Sequence, residues 1–220
     1  MTAYIIVGAD EVGRGLVIGP LIIGLCALDE NKSAILRNLG VKDSKEYSSN
    51  KKITLHAELI KKHSLAWEVK VVSADILNKF YENKMTMDEL EAYTFYQALE
   101  EIIKKVSIVD EYQIDNFQAA EQLKSLLAKK DSTKNIKLMV SPKADKTHIA
   151  VSAGSILARV KLLEELEKIK KKYGDFGSGS TSDKKTINWL VQLYQKNHEW
   201  PMDIIRIYWK TIKSIEKEID

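Results

Sequence analysis

Apolar residues gather at positions 4–7 and again, over a longer stretch, at 16–28, and both runs read as buried strands. Trp67, Val69 and Val71 alternate with Glu68 and Lys70, the two-residue period of a third strand with one wetter face. Segments 107–115 and 136–140 supply two more. Between the strands the period lengthens to that of helices. One is expected over 51–63. A second follows Thr86, which forms a capping box with Glu89 and leads into a face of Ala92, Tyr96, Leu99 and Ile103. A third is expected over 120–129. The plainest helix covers 155–173, with Ile156, Val160, Leu163, Leu166 and Ile169 on one stripe and Gly174 placed to stop it. After a glycine- and serine-rich loop, a helical tail is expected at 183–196 and 202–218, where Trp189, Tyr194, Trp200, Ile205, Tyr208 and Trp209 read as packing residues. The pattern implies an α/β fold in which helices flank a mixed five-stranded sheet, residues 1–180 forming the main domain and 181–220 a helical extension packed on it.

Composition narrows the possibilities. With 220 residues, 45% of them hydrophobic and 30% charged, the chain can bury a good core and is unlike a disordered segment. Cys26 is the sole cysteine, which excludes an internal disulfide and a cysteine-rich zinc site. The apolar run at 16–28 is broken by Gly19, Pro20 and Gly24 and is too short to span a bilayer, and the N-terminus lacks the order of a signal peptide. A cytoplasmic protein with no membrane attachment is expected. The net charge of +3 does not by itself announce a nucleic-acid partner, and the cluster of Lys168, Lys170, Lys171 and Lys172 reads as a solvated helix face.

The chemistry concentrates near the N-terminus. In Gly8-Ala9-Asp10-Glu11-Val12-Gly13-Arg14-Gly15, two adjacent carboxylates follow the first apolar strand and precede a glycine-flanked arginine. Paired carboxylates at a strand end are commonly offset by a divalent cation, and glycines let backbone N–H groups approach a ligand closely. The plainer alternative is a turn in which Asp10 caps, Glu11 is solvated and Arg14 pairs with one of them. Asp115, ending the fourth strand, and Asp145, just past the fifth, can join the first two acids; Asp110 is the competitor for Asp115, with the opposite strand phase. An oxygen-only set favours Mg²⁺ or Mn²⁺ over zinc, and a pair of ions about 4 Å apart can activate water and stabilise a leaving 3′-oxygen. The four histidines show no ligand spacing, and no nucleophile triad is apparent; Ser155 opens a packed helix.

Five ordered segments resemble the ribonuclease HII family, most closely its archaeal type. Gly8 to Gly15 resembles its acidic opening with the GRG loop, and Lys42-Asp43-Ser44-Lys45 its DSK motif. Lys143-Ala144-Asp145 with the block from Val151 to Ala158, and the loop from Tyr173 to Gly179, complete the series. The resemblance implies an RNase H-like fold and an endonuclease that cuts the RNA strand of RNA/DNA hybrids, leaving 5′-phosphate and 3′-hydroxyl ends. Its four-carboxylate site corresponds to Asp10, Glu11, Asp115 and Asp145. Gly13, Arg14 and Gly15 would read the ribose 2′-hydroxyl, which separates RNA from DNA. Ser44 and Lys45 would meet phosphate, and Lys143, beside Asp145, would contact phosphate or tune that carboxylate. Where the family usually carries a tyrosine that stacks on a sugar at the ribonucleotide–DNA junction, this chain has Ser180, so a weakened preference for single embedded ribonucleotides is expected. The partner implied is the hybrid duplex, bound by a monomer; a sliding clamp is conceivable, but the tail shows no clear clamp-binding motif. A catalytically weak hybrid-binding protein of the same fold is the alternative, and four intact acids facing phosphate argue against it.

Overall fold

The computed structural model describes residues 3–42, 44–115 and 118–220; Asp43 of the DSK segment lies outside them. The chain divides into two units, one of Met1–Val12, Ile22–Lys70 and Met87–Lys161, the other of Gly13–Leu21, Val71–Thr86 and Leu162–Asp220. The boundary expected after residue 180 falls inside the second unit.

The first unit is built on a five-stranded sheet whose strands are β1 (Ile6–Val12), β2 (Leu21–Leu28), β3 (Ala66–Val72), β4 (Glu111–Asp115) and β5 (Lys137–Ser141), in the order β3-β2-β1-β4-β5. β1 runs antiparallel to β2 and parallel to β4, and β4 is parallel to β5, so the sheet is mixed as expected. The first strand was expected to end at residue 7, but pairing with β2 continues through Asp10 opposite Gly24 and Val12 opposite Ile22. The acids therefore stand within the strand. The expected strand at 16–28 shortens to β2, because Gly19 takes a left-handed φ of 99° that breaks the extended chain ahead of it.

Val7 and Ala9 of β1, Tyr112 and Ile114 of β4, and Phe95, Leu99 and Ile102 of the helix Met87–Val106 share one buried core. The opposite face of β1 and β2 meets the first half of the helix Ile149–Tyr173, here termed α7. This helix begins six residues before the expected start at 155. Residues from Ala150 to Ala158 are buried on every side, so they carry no amphipathic stripe for the sequence to reveal.

In the second unit, Leu16 and Ile18 form isolated bridges to Ser180 and Ile205. The tail helix expected at 202–218 starts only at Lys210, and the residues before it form turns in which the N–H groups of Ile204 and Ile205 donate to Pro201 O. That irregular stretch carries Arg206, a charged side chain with no exposed surface.

Candidate active site

Strand alternation decides which side chains can meet. Since Val7 and Ala9 enter the core with Tyr112 and Ile114, Gly8 and Asp10 share the other face with Gln113 and Asp115. The parallel register sets Ala9 beside Ile114, and Asp10 and Asp115 follow one step along each strand. That face lies against α7 through backbone atoms. A Cβ on Gly8 would stand 2.1 Å from the carbonyl carbon of Ala150, and one on Gly24 would stand 2.2 Å from Gly154 O. Glycine at 154 fits for the same reason, as its own Cβ would come within 2.6 Å of Gly24 O.

The close approach brings Ser155 to Asp10, to which it hydrogen-bonds, and sets Ser155 Oγ 2.9 Å from Ser44 Oγ. The serine that sequence reasoning dismissed as a nucleophile thus orients the central carboxylate. Its only signal was its place directly after Gly154. The Glu11 N–H donates to Asp10 Oδ1 at 2.9 Å. Asp115 Oδ1 accepts from the Ala144 N–H at 3.1 Å, in the short helix Ala144–Thr147 that follows β5. The turn into that helix passes through Lys143, exposed and left-handed at φ 58°. Asp145, two residues on, is 1% exposed and its Oδ2 accepts from Lys45 Nζ at 2.9 Å. Asp110 is occupied elsewhere: it precedes β4, and its Oδ2 accepts from the Ile5 N–H at 2.7 Å.

Electrostatics mark Asp10 as the strained member. Burial, then the neighbouring Glu11, with Asp115 and Asp145 adding, push its pKa up to about 8 against the opposing hydrogen bond from Ser155. Keeping this carboxyl ionised in the folded chain near neutral pH therefore carries a cost. A divalent cation removes that cost, and the donors are all carboxylate oxygens, which suits Mg²⁺ or Mn²⁺. Among the described residues, no three histidine, cysteine or acidic side chains are gathered tightly enough to enclose an ion in the present arrangement, in which the Lys45 ammonium meets Asp145. Chemistry and charge fit a divalent ion; enclosing one requires the side chains to turn inward.

Two loops of the second unit carry the remaining expected residues. Gly13, at φ 85°, cannot be replaced without strain, since a Cβ there would lie 2.6 Å from Pro20 O. Gly15 is exposed, and a Cβ on it would meet nothing within 4 Å. The Val17 and Ile18 N–H groups donate to Gly179 O at 2.9 and 3.2 Å, which ties the stretch after the GRG loop to the serine-rich loop. There Asp183 Oδ2 accepts from the Ser178 N–H at 2.7 Å, and Ser180 Oγ lies 2.9 Å from Ser182 Oγ. Tyr173, at the head of this loop, donates its hydroxyl to Asp203 Oδ2 at 3.0 Å.

The family model for ribonuclease HII matches residues 7–212. Ribonuclease HII of Pyrococcus furiosus is 39% identical over 215 residues, spanning 96% of this chain and 91% of that protein. The chain belongs to the ribonuclease HII family. The Methanocaldococcus jannaschii ribonuclease HII is 36% identical, with 96% of this chain and 94% of that protein covered. Among solved structures, the ribonuclease H2 from Pyrococcus horikoshii OT3 superposes with a TM-score of 0.84 at 34% identity over 98% of both chains. The PCNA:RNase HII complex from Archaeoglobus fulgidus gives 0.79 at 31% identity over 96% of both. Bst-RNase HIII, solved in complex with Mn²⁺, shares the fold with a TM-score of 0.83 at 22% identity, over 99% of this chain and 71% of that one. As a ribonuclease HII family member the chain is a metal-dependent endonuclease with RNase H activity on RNA/DNA hybrids, and its mixed sheet is that of the RNase H fold. Among its described residues, no helix is long and apolar enough to cross a membrane.

Proposed function

We propose that this ribonuclease HII family member hydrolyses the RNA strand at Asp10, Glu11, Asp115 and Asp145, leaving 5′-phosphate and 3′-hydroxyl ends. The observation that carries the reading is the buried Asp10, whose ionisation three neighbouring carboxylates oppose. Two divalent ions, Mg²⁺ or Mn²⁺, bound by these acids would supply an activated water and charge neutralisation at the leaving 3′-oxygen. The chain's own residues do the rest. Ser155 and the Glu11 N–H hold Asp10, and the Ala144 N–H holds Asp115. Lys45, 71% exposed at its side chain, and the exposed Lys143 offer ammonium groups to backbone phosphate, with Ser44 beside them. The N–H groups of Gly13, Arg14 and Gly15 contact the ribose 2′-hydroxyl, the feature that DNA lacks. Ser180 provides no stacking surface, so junctions after a single ribonucleotide are cut with weakened preference. A sliding clamp, as in the Archaeoglobus complex, extends the proposal to a partner, and co-elution with a purified clamp tests it.

Labelled RNA/DNA hybrid, all-DNA duplex and all-RNA duplex, each with Mg²⁺ or Mn²⁺, test the main reading. Hybrid alone is expected to be cut, at its RNA strand, and Asp10→Asn is expected to abolish cleavage. Cutting of the all-DNA duplex by the unaltered protein would sink it.

A further inference from the structure

Arg206 is wholly buried, yet its guanidinium is aimed at backbone carbonyls of the segment that carries the GRG loop. Nε donates to Gly19 O at 2.9 Å, Nη1 to Arg14 O at 3.0 Å and Nη2 to Gly13 O at 2.8 Å, while the Trp209 ring lies 5.1 Å from the guanidinium carbon. A buried cation is costly, and packing alone would be served by an apolar side chain of like volume. The rigid planar fork does something an apolar residue cannot: it fixes the orientation of consecutive peptide planes.

In a trans peptide the C=O and N–H point in opposite directions. Drawing the carbonyls of Gly13 and Arg14 toward the guanidinium therefore turns the N–H groups of Arg14 and Gly15 away from it. Gly15 is exposed, and the space where its Cβ would stand contains no protein atom within 4 Å. The protein's own packing does not require glycine at that position, which leaves close approach of an outside group as the reason for it.

We propose that Arg206 is a positioning residue that presets the GRG amides as donors to the ribose-bearing strand, so that the tail sets the enzyme's discrimination between RNA and DNA. This rests on the reading of the GRG loop given above, and the test separates the two. For the full-length chain, KM and kcat on an RNA/DNA hybrid are measured beside the inhibition constant of an all-DNA duplex, for Arg206→Lys and Gly15→Ala. Lysine keeps the charge but can hold only part of the fork's geometry.

Arg206→Lys is expected to raise KM for the hybrid about tenfold or more while the all-DNA inhibition constant stays within about twofold. A merely structural role would lower the melting temperature and the active fraction, hence kcat, and leave that ratio alone. Gly15→Ala is expected to reproduce the loss of discrimination with an unchanged melting temperature. If Gly15→Ala lowers discrimination and Arg206→Lys does not, the role given to Arg206 is overturned and ribose reading stands. If Gly15→Ala leaves discrimination intact, the GRG reading fails and the proposal with it. Should Arg206→Lys not fold, amide exchange in the unaltered chain decides. The Gly15 N–H must exchange freely in the free protein and slow when hybrid binds; protection in the free protein overturns the proposal.

Discussion

Replacing Gly8 by alanine tests whether the contact between α7 and the sheet positions the carboxylates. The new Cβ would lie 2.1 Å from both the Ala150 carbonyl carbon and the Val151 nitrogen, and 2.5 Å from Ala150 O. These are backbone atoms, which cannot rotate aside, so relief requires the helix to retreat by about 1 Å or more. Overpacking of this kind costs about 3 kcal/mol. For a chain of this size that corresponds to a fall of about 6–12 °C in melting temperature. The retreat also withdraws Ser155 from Asp10, and misplacement on that scale lowers turnover about a hundredfold. Thermal melting followed by circular dichroism, and kcat on a labelled hybrid well below the new melting point, measure the two effects. Gly15→Ala is the control for melting, since its Cβ meets nothing within 4 Å. A Gly8→Ala protein that melts within about 1 °C of the unaltered chain would refute the reasoning, because relief would then have cost nothing.

Ser180→Tyr is expected to raise cleavage at single embedded ribonucleotides relative to continuous RNA, measured on duplexes with one, four or many ribonucleotides; an unchanged ratio refutes the role assigned to this position. The backbone N–H of Ser178, with that of Lys185, holds the Asp183 pKa down to about 2 from an ordinary 3.8. A depressed carboxyl stabilises above its unfolded pKa, so the order of the serine-rich loop should be complete above about pH 4 and lost as pH falls toward 2. Amide exchange at Ser178 follows this, and Asp183→Asn should remove the pH dependence; an unaltered profile in that variant counts against it. Burial pushes the Cys26 thiol up to about 12, so it should resist thiol reagents at pH 8 until the chain unfolds. Its contribution to stability is complete below the ordinary thiol pKa and lost as pH rises toward 12; rapid labelling of the native protein would contradict the assigned burial.

Much of the arrangement was legible because one physical signal governed it. The alternating Trp67–Val71 segment and the capping box at Thr86 forecast β3 and the helix Met87–Val106, although the face expected to be wetter is not: Trp67 and Val71 are exposed while Glu68 and Lys70 are partly buried. Asp10 and Glu11 were visible as acids, but not as residues inside a strand, because their extension depends on pairing with β2 across the sheet. The early turns of α7 were hidden for the opposite reason: burial on all sides erases the stripe. The helices Glu30–Asn38 and Ala74–Glu82 went unforecast, although Asp29 and Ser73 cap them. Arg206 could not be singled out, because a charge among aromatic residues reads as surface until the carbonyls facing it are known.

The seam between α7 and the sheet has one more consequence. Where main chain rests on main chain there are no rotamers to rearrange, so the junction cannot loosen by degrees as a side-chain interface does. Heat must part it as a whole, and the acids it supports then lose their footing together. Activity and folded structure should accordingly vanish at one temperature, with no interval in which an intact but inert enzyme accumulates.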